Sequence, residues 1–178
     1  MLKHFRLFVI LLLLGTSCVN DLEKVKIISS KGHFPTESLK DAVVYYSDSA
    51  IVKVKLKAPK MDHFAGENPY IELPEGIDLI FFDTNNETIS HLTANYAISY
   101  EKKGTMEAKG NVVLINEIGE KLNTEYLIWN QKEAKIFSDK FVKITTKDEI
   151  IMGEGFESNE SFTNFKIHHI KGTILVEN

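Results

Sequence analysis

Residues 52 to 57 read Val-Lys-Val-Lys-Leu-Lys, so Val52, Val54 and Leu56 share one parity and Lys53, Lys55 and Lys57 the other. A period of two puts the apolar set on one face of an extended chain and the charged set on the opposite face, whereas a helix would scatter both around its axis. The segment is therefore a strand with one dry and one wet face. The same alternation returns in Leu92 to Tyr100, Met106 to Ile115, Leu122 to Trp129, Ala134 to Ile144, Ile150 to Glu157 and Phe162 to Ile170. Between these runs lie short polar stretches with the composition that turns demand, among them Glu101-Lys102-Lys103-Gly104, Asn116-Glu117-Ile118-Gly119 and Asn130-Gln131-Lys132-Glu133. No long stretch of the body keeps a helical period. The fold class is all-β.

An internal repeat narrows the architecture. Displaced by thirty positions, Leu92-Thr93-Ala94-Asn95-Tyr96 falls on Leu122-Asn123-Thr124-Glu125-Tyr126, and that segment falls on Met152-Gly153-Glu154-Gly155-Phe156. Met106, Val112 and Leu114 likewise fall on Ile136, Val142 and Ile144. Each unit is two strands, and equal parity predicts a single face carrying the column Tyr96, Tyr126 and Phe156 beside Val112, Val142, Leu114 and Ile144. Stacked antiparallel units of this kind make a curved β-jelly roll or solenoid-like sandwich with an apolar inside. Its open ends expose unpaired N–H and C=O groups, which need either charged protection or a partner strand.

Composition bears on what such a body can bind. With 178 residues, 43% of them hydrophobic, the chain is long enough for one core without metals or bridges. A formal net charge of −4, with Arg6 as the only arginine, gives no electrostatic footprint for nucleic acid. The first residues stand apart. Lys3 and Arg6 precede the unbroken apolar run Leu7 to Leu14 and the small residues Gly15, Thr16 and Ser17, the layout of a secretory signal and too short a run to span a bilayer. Cys18, the single cysteine, follows at once, and Leu14-Gly15-Thr16-Ser17-Cys18 resembles a bacterial lipobox. The division expected is a lipoprotein-type signal peptide over 1–17, an acylated Cys18 with a tether over 18–40, and the β-domain over 41–178. An ordinary cleaved signal with a chance cysteine is the plainer alternative.

Chemistry leaves little trace. There is no GxGxxG, P-loop, HExxH or GxSxG sequence. His168 and His169 are neighbours on a predicted strand, so they point to opposite faces and cannot share a metal ion. Glu75, Asp78 and Asp83 cluster about a Pro-Glu-Gly turn, where acids more often cap backbone than cleave a glycan. Trp129 falls on the face opposite Tyr126 and reads as a packing residue. No catalytic set, metal site or cofactor is expected.

Several segments, in order, are similar to one family. Tyr45-Tyr46-Ser47-Asp48-Ser49-Ala50, Leu56-Lys57-Ala58-Pro59, Pro74-Glu75-Gly76-Ile77 leading to Phe81-Phe82-Asp83, Leu92-Thr93-Ala94-Asn95-Tyr96-Ala97, Gly110-Asn111-Val112-Val113-Leu114, Gly119-Glu120-Lys121-Leu122 and Leu127-Ile128-Trp129 resemble the LptC family over roughly residues 41 to 176. The resemblance implies an OstA-like β-jelly roll in the periplasm. It implies a relay of lipopolysaccharide from an inner-membrane ABC transporter to the next β-jelly-roll bridge protein, with the acyl chains in an apolar groove and the energy supplied by the transporter. Many family members are held by an N-terminal transmembrane helix, whereas here Cys18 is the expected anchor, with the inner membrane the favoured site. Ala50 stands where the family's YSDSG-like segment has Gly, a difference that matters if the position takes positive φ.

If the inside is such a groove, the even-numbered positions Val54, Leu56, Phe82, Tyr96, Met106, Val112, Leu114, Tyr126, Ile136, Val142, Ile144 and Phe156 are the candidates to line it. The competing expectation for each is a packed dry core. Lys53, Lys55 and Lys57 read either as guards against edge pairing or as contacts for lipid phosphates at a rim. Two other functions stay open on residues alone: a non-catalytic envelope scaffold acting through its sheet edges, and a carbohydrate-active β-sandwich.

Overall fold

The structure, a computed structural model, describes residues 34–175. The leader 1–17, Cys18 and the tether as far as residue 33 lie outside the described residues. The strands are β1 (Glu37–Asp48), β2 (Ile51–Phe64), β3 (Tyr70–Leu73), β4 (Ile77–Phe82), β5 (Thr88–Ala94), β6 (Tyr96–Tyr100), β7 (Thr105–Asn116), β8 (Lys121–Asn130), β9 (Lys135–Thr145), β10 (Glu149–Asn159) and β11 (Phe165–Leu175). Residues 37–40, placed in the tether by sequence, already belong to β1. The thirty-residue repeat is visible in the starts of β7, β9 and β11, at residues 105, 135 and 165.

All eleven strands of the described residues form one antiparallel sheet. β2 pairs along one edge with β1 and along the other with β4 and β3 in turn, while β7 pairs with β8 and, on its other edge, with β5 and β6. β3 with β4 and β5 with β6 are thus two long strands, each broken near its middle. The molecule is an up-and-down meander in which each long strand hydrogen-bonds to its neighbours in the chain.

A line of bends crosses this meander. Asp41 (φ 50) in β1, Gly76 (φ 99) between β3 and β4, Gly110 and Asn111 (φ 74 and 46) in β7, and Gly155 (φ 76) in β10 all take left-handed backbone. Register shifts fall at the same level in the β7–β8, β8–β9 and β9–β10 pairs. Bulges and left-handed residues kink a strand and raise its twist. A side chain at Gly76 would sit 2.9 Å from the Ala94 carbonyl oxygen, so that corner accepts only glycine without a shift. At Asn95 the expected single strand Leu92 to Tyr100 breaks, and the Asn95 N–H turns to the Gly110 carbonyl at 3.0 Å.

The bends fold the sheet so that the inner faces of its two halves meet. Phe81 of β4 and Trp129 of β8 pack edge-to-face at 5.2 Å between centroids, within a core that includes Leu73, Leu92, Leu114, Leu122, Leu127 and Ile144. Each fully buried aliphatic side chain there contributes about 1.5–3 kcal/mol relative to exposure. This is the curved jelly roll expected from the alternation.

Two turns bear on the sequence reading. Ser49 (φ 52) and Ala50 (φ 64) form the two-residue connection between Asp48 and Ile51, with both residues left-handed as a type I′ hairpin requires. The position of the family's Gly therefore does take positive φ. Phe162, expected to open the last strand, lies instead in the β10–β11 turn at φ 53 with its ring fully buried.

Candidate functional site

Inward direction follows from pairing register rather than from even numbering alone. In an antiparallel pair, directly opposed residues share a face, so loop length and bulges decide whether the parity of the inner face carries over from one strand to the next. Even positions point inward in β7 and β9: Met106, Val112, Leu114, Ile136, Val142 and Ile144 are all buried. Val54 on β2 and Phe156 on β10 are buried with them. These residues pack against one another as the core. Leu56 is half-buried against the same cluster, one strand in from the β1 edge.

Three candidates point the other way. Val54 opposes Phe81, so Phe81 is the inward residue of β4 and Phe82 faces out. Leu73 and Ala97 are an inward pair, which places Tyr96 on the outer face. In β8 the shift between Thr124 and Ile128 changes the inward parity, so Leu127 and Trp129 are buried while Tyr126 faces out. The predicted column of Tyr96, Tyr126 and Phe156 is therefore split. Tyr96 and Tyr126 flank Lys109 on the outside, its ammonium 6.0 and 5.6 Å from their ring centroids. The Tyr96 hydroxyl donates to Glu72 at 2.8 Å, and desolvation raises its pKa. Desolvation, helped by Glu107, pushes the Tyr126 hydroxyl up to about 12.

The inner face is uncovered at the two ends of the meander, where sequence reasoning did not look for the site. On β1, Val44 opposes Leu56 and Tyr46 opposes Val54, so both belong to the inner face, yet they are 40% and 46% exposed. The Tyr46 ring meets Trp129 edge-on at 6.4 Å, so this lip runs directly into the core. At the other end, Phe165 and Ile167 of β11 pack against the core, while Ile170, opposite the buried Gly153, is 64% exposed. A signal for the first lip was present in Val43-Val44-Tyr45-Tyr46. An alternating strand with one wet face does not place apolar residues on both of its faces.

Polar groups frame these lips. Lys57 and Lys55 stand on the outer face opposite Val43 and Tyr45, and the Lys55 ammonium lies 5.4 Å from the centre of the Tyr45 ring. Asp83 caps its own turn, accepting the Asn85 and Glu87 N–H groups at 2.8 Å, bonds that hold its carboxyl below the ordinary range. Asp78 meets His91 at 2.9 Å. Asp62, buried on the outer side, accepts from Lys60 and from Ser38, each at 2.6 Å; chiefly through Lys60, its pKa is lowered. Each of these acids, then, has a structural partner. Within the described residues the outer edges of β1 and β11 have no strand beside them.

Comparison with known proteins adds the last element. No curated protein matches the chain. A family model described as lipopolysaccharide-assembly, LptC-related, matches residues 8–174, which take in β1 to β10 and all but the last residue of β11. With the all-β meander, its apolar inside and its two open lips, the chain belongs to the LptC family, periplasmic non-catalytic components of lipopolysaccharide transport.

Proposed function

We propose that this chain takes lipopolysaccharide from the periplasmic part of an inner-membrane ABC transporter and passes it to a downstream β-jelly-roll bridge protein, with the acyl chains along the uncovered parts of its inner face. The observation that carries this reading is the exposure of Val44 and Tyr46, inner-face side chains that continue through Leu56 and Trp129 into the core. Apolar surface of this kind, left in water beside a packed interior, marks a place where another apolar body lies. The step is passive, driven by the transporter's ATP hydrolysis. Acylation at Cys18 would hold the domain near the inner membrane.

The free sheet edges supply the contacts to proteins. β1 would add to a strand of the transporter's periplasmic domain and β11 to the first strand of the bridge. The same edges favour a second reading, a scaffold lipoprotein that binds partners and no lipid. Purification of the full chain from membranes separates the two: the relay reading predicts a phosphorylated glycolipid that co-purifies and is lost in Val44→Asp/Tyr46→Asp, and the scaffold reading predicts protein partners alone.

A further inference from the structure

The loop joining β10 to β11 does more than reverse the chain. Asn159 organises it from one end, its side-chain oxygen accepting the N–H groups of Thr163 and Asn164 at 3.2 Å. Three further bonds then leave the loop for three different strands. The Ser90 hydroxyl of β5 donates to the Glu160 carbonyl, the Asn116 amide of β7 donates to the Phe162 carbonyl at 3.0 Å, and the Trp129 indole N–H of β8 donates to the Glu160 carboxylate at 2.6 Å. Ser90 and Asn116 lie in one half of the folded sheet and Trp129 in the other, so the loop straps the two halves together. Burial pushes the Glu160 carboxyl up, with the indole and Lys53 opposing.

The strap carries Phe162 into the interior. Its ring is fully buried, edge-on to Phe156 at 5.8 Å and tilted against Phe165 at 5.3 Å. The backbone there is left-handed (φ 53), a conformation that costs a bulky residue free energy and persists only where its surroundings over-determine it. Hairpin reversal does not require an aromatic ring inside the sheet, and the polar bonds that hold it are of a kind water replaces.

We propose that residues 159–164 are a displaceable plug: the Phe162 ring fills, from within the chain, the slot beside Phe156 and Phe165 that an acyl chain fills in the loaded protein, and loading swings the loop outward. The apolar part of the exchange is close to balanced, because one apolar body replaces another against the same aromatic rings; the loop's own carbonyls and the Glu160 carboxyl return to solvent, and the Asn116 amide keeps its bond to Glu120. A near-balanced exchange suits a carrier that must both accept and release its cargo. The inference rests on the relay reading and adds to it how the empty interior stays dry.

A reversible staple tests it. The full chain carrying Ser90→Cys and Glu160→Cys, in a Cys18→Ser background, is joined across the two thiols by a short bis-methanethiosulfonate linker, its remaining thiols are counted, and its binding to purified lipopolysaccharide is measured before and after dithiothreitol. The plug predicts loss of binding in the linked form and, on reduction, recovery to at least the wild-type level, because both substitutions remove bonds that hold the loop in. As an independent arm, Phe162→Ala with a cooperative melt is predicted to bind lipopolysaccharide more tightly than wild type. Equal binding by the stapled and reduced forms, or unchanged binding by Phe162→Ala, overturns the plug and leaves the relay intact. Absence of lipopolysaccharide binding by the wild-type chain overturns both.

Discussion

The ring of Tyr46, half exposed on the first long strand, meets the ring of Trp129, buried in β8, edge-on at 6.4 Å. Through this contact the uncovered lip and the packed interior are one continuous apolar surface, and they differ in what a charge does to them. Val112→Asp or Leu114→Asp places a carboxylate where no water reaches, so the domain is expected to unfold. Val44→Asp and Tyr46→Asp leave the carboxylate in solvent, so circular dichroism and melting stay close to wild type while lipopolysaccharide binding is lost. Leu114→Ala, a milder change, is expected to cost about 2–5 kcal/mol in denaturant titration.

Ala50 offers a gain of stability. It sits at φ 64 in a two-residue turn, where a β-carbon is unfavourable and glycine is not. Relief of that strain outweighs the extra chain entropy of glycine, and Ala50→Gly is expected to stabilise by about 0.5–1 kcal/mol. Chemical denaturation of both proteins at one temperature measures it, and a lower midpoint for Ala50→Gly would contradict the turn assignment.

Glu160 gives a pH dependence with a definite sign. Burial raises its pKa above the ordinary 4.5, so the folded chain holds this proton more tightly than the unfolded chain does. The stability it contributes is fully present below about 4.5 and is lost as pH rises through the raised folded value. The amide of Glu160→Gln still accepts from the Trp129 indole and does not titrate. Thermal melts from acid to neutral pH are therefore expected to show the variant gaining on wild type as pH rises, ending at least as stable near neutrality. Parallel profiles for the two proteins would show that Glu160 is not held in its desolvated place.

The free edges make a separate prediction. Cysteines placed along β1, such as Val43→Cys, should crosslink in cells to the transporter's periplasmic domain, and those along β11, such as Ile174→Cys, to the bridge protein. Crosslinking of both edges to one and the same partner would contradict the assignment of ends.

Alternation revealed the meander because inner strands such as β4, β5, β7 and β8 alternate buried with less buried positions, and the thirty-residue repeat revealed the two-strand unit. Facing was legible only where register preserved parity. Met106, Val112, Ile136 and Val142 could be read directly, but Tyr126 could not, because the register shift that turns β8 over is a backbone event that its side chains do not announce. Phe82 failed for a related reason: the connection between β2 and β4 sets Val54 opposite Phe81. Alternation among its neighbours predicts a strand position for Phe162, whereas its ring ends in the interior against Phe156 and Phe165, under a loop held by Ser90, Asn116 and Trp129.

A paired photocrosslink in cells confronts the transport reading most directly. A photoreactive residue at Tyr46, on the inner face, is compared with one at Tyr45, its neighbour on the outer face beside Lys55. The expected result is a lipopolysaccharide adduct at Tyr46, absent at Tyr45 and dependent on an active transporter ATPase. Equal adducts at both positions, or none at Tyr46 in a folded and exported chain, would contradict a lipid path along the inner face.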